Sequence, residues 1–223
     1  TDMMAQAASG TWSLSSTTTT TATSAGNVIA QDESFGNMVI NSYTGPSSSQ
    51  RVTTTTGSWP AESVQNDTRY IQFSVSPNSG NSFNVISITL LLGASGGSNM
   101  KANIYYSTDP TFSTRTLLNG SILALPSGSL SSLSYSPSVN VNGGQTFYMR
   151  IYPWYTASAT GKYVCPQNVV ISGTTSGATP QIITSVSSLT SFSQIVGTPS
   201  TTQTYTVSGN NLTNNVVVTP PAG

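Results

Sequence analysis

Between Phe147 and Tyr155 the chain reads Phe-Tyr-Met-Arg-Ile-Tyr-Pro-Trp-Tyr. In an extended segment successive side chains point to opposite faces, so inward Phe147, Met149 and Ile151 leave Tyr148, Arg150 and Tyr152 together on the other side. Ring faces that meet the C–H surface of a sugar, interleaved with planar groups that hydrogen-bond hydroxyls, are the chemistry of carbohydrate recognition. Lys101, Asn103 and Tyr105 have the same outward phase on a second segment, and Tyr70 and Gln72 on a third. Were these segments neighbours in a sheet, their side chains would form a platform of tyrosines with amide and basic groups between them. Trp154 and Tyr155 carry the aromatic run into a loop, where Pro153 fixes the backbone and lowers the cost of ordering on binding. With Trp59, in Gly-Ser-Trp-Pro, the candidate ligand contacts are Tyr105, Tyr148, Arg150, Tyr152, Trp154, Tyr155, Trp59 and Lys101. The alternative for the same rings is that they close the rim of the core, with Trp154 plugging one end. Trp12 is read as core.

Catalytic chemistry is poorly supplied. The 223 residues include no histidine, one cysteine, six acidic and six basic side chains. The charged fraction is 5%, against about 25% for an average soluble domain. There is no Ser-His-Asp set, no phosphate-binding loop and no H-E-x-x-H. Two carboxylates suffice for glycoside hydrolysis, but Asp32 and Glu33 would face opposite sides of a strand and the other acids are scattered. The expectation is therefore a protein that binds or connects and is not an enzyme. Zero net charge without a basic patch argues against nucleic acid. No run approaches the roughly 18 apolar residues of a membrane span, so no membrane insertion is expected. Lys101, Arg115, Arg150 and Lys162 could meet uronate carboxylates, while a neutral glycan fits the composition nearly as well. No cofactor is expected beyond a structural calcium ion, for which Asp109 and Asp32 are the candidate ligands although neither has EF-hand spacing. Cys165 is read as a buried structural thiol.

Those candidates need strands to hold them, and period-two alternation supplies them. Arg69–Ser76, Ser82–Leu92, Lys101–Tyr106 and Thr146–Tyr152 alternate, the second with Ile86, Ile88, Leu90 and Leu92 in phase. Shorter strands are expected near Trp12–Ser15, Met38–Tyr43, Arg51–Thr54, Thr116–Leu118, Leu133–Ser136 and Tyr163–Ile171, with Gly/Asn/Ser/Pro turns between them. About ten short strands and no helical periodicity predict an all-β fold, an antiparallel β-sandwich of jelly-roll topology. Residues 1–10 are read as a disordered or processed N-terminus, 11–173 as the sandwich and 174–180 as a linker. Residues 181–223 are read as a truncated immunoglobulin-like spacer, with strands at Ile182-Ile183, Gln203–Gly209 and Val216–Pro221. That segment is far shorter than the roughly 100 residues of a whole immunoglobulin domain.

Several strings resemble a module of secreted Bacteroidota proteins. Tyr70-Ile-Gln-Phe-Ser-Val-Ser-Pro77 with Ile86-Ser-Ile-Thr-Leu90 is similar to its opening strands, and Ile104-Tyr-Tyr-Ser-Thr-Asp109 to its Y-S-T-D strand and loop. Phe147–Trp154, Gly161-Lys-Tyr163 and Gln167-Asn-Val-Val-Ile-Ser-Gly173 resemble its closing strands, with Gln167 where the module has an acidic residue. The tail from Thr198 to Gly223 resembles the start of an immunoglobulin-like repeat of type IX-secreted proteins. The resemblance implies a non-catalytic carbohydrate-binding module, secreted or at the cell surface, joined to a polysaccharide lyase or glycoside hydrolase such as a pectate lyase. Its partner would be a plant cell-wall polysaccharide of the pectin, xylan or cellulose class. The alternative from a different class is a structural or adhesive surface or filament subunit that associates by strand pairing.

Overall fold

The computed structural model describes residues 5–15, 20–177, 181–191, 195–210, 212 and 215–219. Two compact units divide the chain, Thr1–Gly177 and Ala178–Gly223. In the first, long strands form where apolar residues alternate with Ser, Thr or Asn. β1 (Gln6–Trp12), β2 (Thr23–Ala25), β4 (Met38–Ser42), β5 (Arg51–Thr54), β8 (Asn81–Ser95), β12 (Leu130–Tyr135), β13 (Val139–Val141) and β16 (Tyr163–Gly177) make an eight-stranded sheet. β3 (Val28–Gly36), β7 (Tyr70–Pro77), β9 (Met100–Ser107), β10 (Thr116–Leu117), β11 (Leu123–Ala124) and β14 (Phe147–Tyr155) make a six-stranded one. A small two-stranded sheet pairs β6 (Ser58–Trp59) with β15 (Ala159–Thr160).

The antiparallel pairs are nested: β1 with β16, β7 with β14, β8 with β12 and β13, β9 with β10. Successive members of this nest alternate between the two sheets, as they do when one long hairpin is wrapped into a sandwich. This is jelly-roll topology, and the fold class expected from the pattern is the one observed. The inner faces supply Trp12, Phe83, Val85, Ile88, Leu90, Leu92, Val169 and Ile171 from one sheet, and Ile71, Phe73, Val75, Ile104, Phe147, Met149 and Ile151 from the other. Trp12 crosses the interface to meet Phe73 edge-on, ring centroids 5.1 Å apart. Gly10 is required by this close approach: a Cβ there would lie 2.7 Å from Val75 of the opposite sheet.

Three expectations are corrected. Residues 6–10 are not outside the fold, and 174–177 are not linker. Gln6–Gly10 pair with Ile171–Thr175, so each segment is the hydrogen-bonding partner the other needs. Residues 1–4 and 178–180 lie outside the described residues. In β8 the four apolar residues are not all in phase. Ser172 and Gly173 of β16 oppose Ser87 and Val85, which leaves Ile86 as an extra residue, exposed, and lets Phe83 and Val85 join Ile88 in the core.

The second unit contains β17 (Gln181–Thr184) and β18 (Val207–Asn210) as a two-stranded antiparallel sheet. Residues 203–206 of the expected second strand and 216–219 of the expected third are not in strands, and Pro220 and Pro221 lie outside the described residues.

Candidate functional site: the roofed face of the six-stranded sheet

Strand register brings the outward-phase residues together. Tyr105 on β9 stands opposite Arg150 on β14, which stands opposite Gln72 on β7. Asn103 opposes Tyr152 and Lys101 opposes Trp154. The neighbour relation anticipated from alternation therefore holds. What fails is the expectation that the platform is bare. Arg150, Tyr152, Trp154 and Tyr155 are buried; Tyr105, Tyr148 and Lys101 are half-buried.

Two loops cover the face. The one after β9 brings Phe112, buried, edge-on to both Tyr148 and Tyr152 at 6.3 Å. The guanidinium of Arg150 lies between the rings of Tyr70 and Phe112, at 3.8 and 3.9 Å. Its Nε donates to Gln72 Oε1 (2.7 Å) and its Nη2 to the Pro110 carbonyl (3.0 Å). Arg150 thus holds its charge with ring faces and oxygens in place of a carboxylate, and its donors are committed inside the fold. Tyr70 occupies the space a side chain at residue 36 would need, so Gly36 on the adjoining β3 seats the ring that stacks on Arg150. The roof forms because an aromatic sheet face left in water would forgo about 25 cal/mol for each square ångström it can bury.

The run Tyr152–Tyr155, expected as a loop, is the end of β14. Pro153 is accommodated because pairing with β7 ends at Ile151, so its missing N–H breaks no ladder bond on that side. Trp59 is fully buried and its indole N–H donates to the Lys162 carbonyl at 2.8 Å. It borders a cleft of about 540 Å³ whose other walls include Thr54, Thr55, Thr56 and Arg69.

Where the roof is incomplete it leaves a cleft of about 340 Å³ over β9 and β14, within the range of small-molecule sites. Tyr105, Trp154, Val64 and Ile122 supply apolar walls, and Gln65, Asp67, Asn103 and Arg115 the polar ones. The polar groups are linked. Arg115 Nη2 donates to Asp67 Oδ2 (2.9 Å), Gln65 Nε2 to Asp67 Oδ1 (2.7 Å), Asn103 Nδ2 to Gln65 Oε1 (2.7 Å), and Asn119 Nδ2 to Asn103 Oδ1 (2.9 Å). Buried Asn119 ends the chain by accepting from the Ile104 amide at 2.7 Å. Arg115 also lies over the rings of Tyr105 (4.6 Å) and Tyr152 (5.3 Å). Desolvation pushes the Asp67 carboxyl up, but hydrogen bonds from Arg115 and Gln65 outweigh it and hold the group below the usual range. The Arg115 guanidinium is raised correspondingly, chiefly by its hydrogen bond to Asp67. Each group is pre-positioned yet keeps spare capacity: Gln65 has a second amide hydrogen, Arg115 four further N–H donors, Asp67 further lone pairs. The Trp154 indole nitrogen is buried without a partner.

Of the residues singled out from sequence, Tyr105, Trp154, Asn103 and Arg115 line this cleft. Gln65, Val64 and Ile122 were missed because they come from irregular loops with no periodicity. The single available signal was Phe112, a lone aromatic in a polar stretch, which marks a loop that folds back onto a surface.

The metal candidates are engaged elsewhere. Asp109 caps its own loop, accepting from the hydroxyls of Thr111 and Ser113 and from the amides of Thr111 and Thr114. The Ser113 and Thr111 bonds hold its carboxyl well below the ordinary range. Asp32 accepts from the Ala22 amide at 3.1 Å. Among the described residues no three Asp, Glu, His or Cys side chains come together. Glu33 is buried, and there Gln50 Nε2 donates to its Oε2 at 2.7 Å. Burial, only partly offset by that bond, pushes its carboxyl up to about 8. Cys165 is buried, and burial raises its thiol to about 12 despite the counteracting Arg51 and Ser49.

No family model matches the chain, and no curated protein matches it. Among solved structures it is similar to the CBM22-1 and GH10 modules of the N-terminal endo-1,4-β-D-xylanase 10B of Clostridium thermocellum, crystallised with xylohexaose. The identity is 8%, the TM-score 0.36, and the match covers 66% of this chain and 26% of that one. The chain therefore spans about a quarter of the length of that structure, and at this level the likeness carries no argument about what the protein binds.

Proposed function

We propose that the unit Thr1–Gly177 is a non-catalytic carbohydrate-binding module that seats a segment of polysaccharide in the cleft between Tyr105, Trp154 and the Gln65–Asp67 loop. The observation that supports this reading is the cleft's composition: the half-buried Tyr105 ring, backed by buried Trp154, beside a pre-ordered row of amide, carboxylate and guanidinium groups. Sugars present both an apolar C–H face and a ring of hydroxyls, and this lining answers both. In this reading the module is secreted and concentrates a carbohydrate-active catalytic domain, carried on the same polypeptide, at a plant cell-wall-type polymer. Single-site affinity is modest and multivalent attachment raises it.

Calorimetry and affinity electrophoresis of the whole chain against xylan, mixed-linkage β-glucan, cellulose and pectin test this. Binding to at least one polymer, weakened about tenfold or more by Tyr105→Ala or Gln65→Ala with folding intact, is the expected result. Binding to none of them contradicts the proposal.

A second reading concerns the unit Ala178–Gly223. A two-stranded sheet is marginal alone, and here Ile182, Ile183, Val186 and Val196 are exposed. That favours association of this unit through strand pairing with another segment or chain. Light scattering over a concentration series tests it, and a strict monomer at every concentration excludes self-association.

A further inference from the structure

We propose that the cleft selects a neutral, hydroxyl-rich glycan over an acidic one, and that Asp67 is the residue that sets this selection by neutralising Arg115. This rests on the carbohydrate-binding reading and specifies its substrate class.

Nearly all the basic side chains are engaged away from the cleft. The chain has six. Arg51 donates to Ser95 and stacks on Tyr163 in the other half of the sandwich. Arg69 is paired with Glu62. Lys162 donates to the Gly96 carbonyl. Arg150 is shut beneath Phe112 with its donors on Gln72 and Pro110. Lys101 lies beyond Asn103 on β9, outside the cleft lining. Arg115 alone reaches the cleft, and its charge is met there by Asp67 at 2.9 Å.

A uronate chain needs an uncompensated cation, preferably an arginine free to grip the carboxylate through two N–H groups. In this cleft the carboxylate of such a sugar would approach Asp67 as well as Arg115, and like charges at short range repel. A neutral sugar meets no such repulsion. Its hydroxyls can accept from Arg115 and Gln65 and donate to Asp67, so the same ion pair that excludes acids serves as a donor–acceptor pair for hydroxyls. The Asp67 side chain is 58% exposed and that of Arg115 25%, so the pair is open to solvent and to a ligand.

The test compares the unmodified chain, Asp67→Asn, and the double variant Asp67→Asn/Arg115→Met, titrated at low ionic strength with xylan, mixed-linkage β-glucan and polygalacturonate. Asparagine keeps an acceptor for Gln65 while removing the charge. The expected result is that the unmodified chain prefers a neutral polymer to polygalacturonate by about tenfold or more. Asp67→Asn should strengthen polygalacturonate binding by about fivefold, in keeping with an exposed ion pair. That gain should vanish with added salt and in the double variant. Polygalacturonate binding the unmodified chain as tightly as the best neutral polymer overturns the selection while leaving the binding reading intact. An unchanged polygalacturonate affinity in Asp67→Asn overturns the role of Asp67. Absence of binding to all three polymers overturns the binding reading, and this inference with it.

Discussion

The two outer faces of the sandwich are built on the same period-two strands and end in opposite surfaces. On the eight-stranded sheet the outward rows are small and mostly polar: Ser134, Thr89, Val170, Thr11 and Thr23 stand side by side across five strands, and Ser87, Ser172, Ser9 and Ala25 across four. On the six-stranded sheet the corresponding rows are Tyr105–Arg150–Gln72 and Asn103–Tyr152. Small hydroxyl side chains can face water at little cost, so those rows need no cover. Tyrosines and an arginine without a counter-ion do better beneath a roof, and Phe112, Arg115 and the Gln65–Asp67 loop supply it. The lesson is that outward-facing aromatics recruit loops, and that a binding cleft can form where the recruited loops leave a gap. The candidate site belongs to the roof as much as to the sheet.

The contrast breaks first if the roof is removed. Phe112→Ala should destabilise the first unit by about 3 kcal/mol, the usual cost of truncating a buried phenylalanine, read by urea unfolding. Thr89→Ala or Ser172→Ala on the opposite face should stay within about 0.5 kcal/mol. Equal effects on the two faces would abolish the distinction. Next in size is the core beside the sheets. Glu33 is an acid whose folded value lies near 8, above its ordinary 4.5. The folded state therefore keeps a proton that the unfolded chain has released between those values, and stability falls as pH rises from about 4.5 to 8, then levels off. The loss is on the order of a few kcal/mol, and Glu33→Gln should flatten the slope; Gln50 and Tyr43 are the polar neighbours it leaves in place. A flat profile in the unmodified chain contradicts that assignment. Arg150→Met should cost about 2 kcal/mol, because two ring contacts and three hydrogen bonds are lost while the stem's volume is kept. The smallest effect on stability sharpens the comparison most. Tyr105→Ala should lower melting by only a few degrees yet weaken glycan binding about tenfold, whereas Thr89→Ala leaves binding unchanged.

Much of this was legible from residue order. Alternation in Arg69–Ser76, Lys101–Tyr106 and Thr146–Tyr152 located three strands and assigned their inner and outer residues correctly, because a sheet buried on one face has no freedom in that pattern; the last strand runs on to Tyr155. The nested pairing was not legible, since antiparallel neighbours far apart in sequence leave no local mark. Residues 6–10 and 171–175 are each other's partners, so an expectation that leaves out the first also ends the domain too early. For the site, the aromatic face was found and its exposure misjudged. Whether Tyr152 or Trp154 meets water depends on where Phe112 and Gln65 land, and loop paths carry no periodic signal. Charge was misread for the same reason: Arg115 and Arg150 look alike in sequence, but one reaches a cleft against Asp67 and the other is enclosed by two rings.

The measurement that bears most directly on the cleft is a nuclear magnetic resonance titration of the isotope-labelled chain with a soluble neutral hexasaccharide such as xylohexaose. The account predicts saturable shifts of the Trp154 indole N–H, the side-chain amides of Gln65 and Asn103, and the backbone around Tyr105, with the strands carrying Thr89 and Ser172 unmoved. Shifts confined to the serine- and threonine-faced sheet, or none with any neutral oligosaccharide, would contradict it.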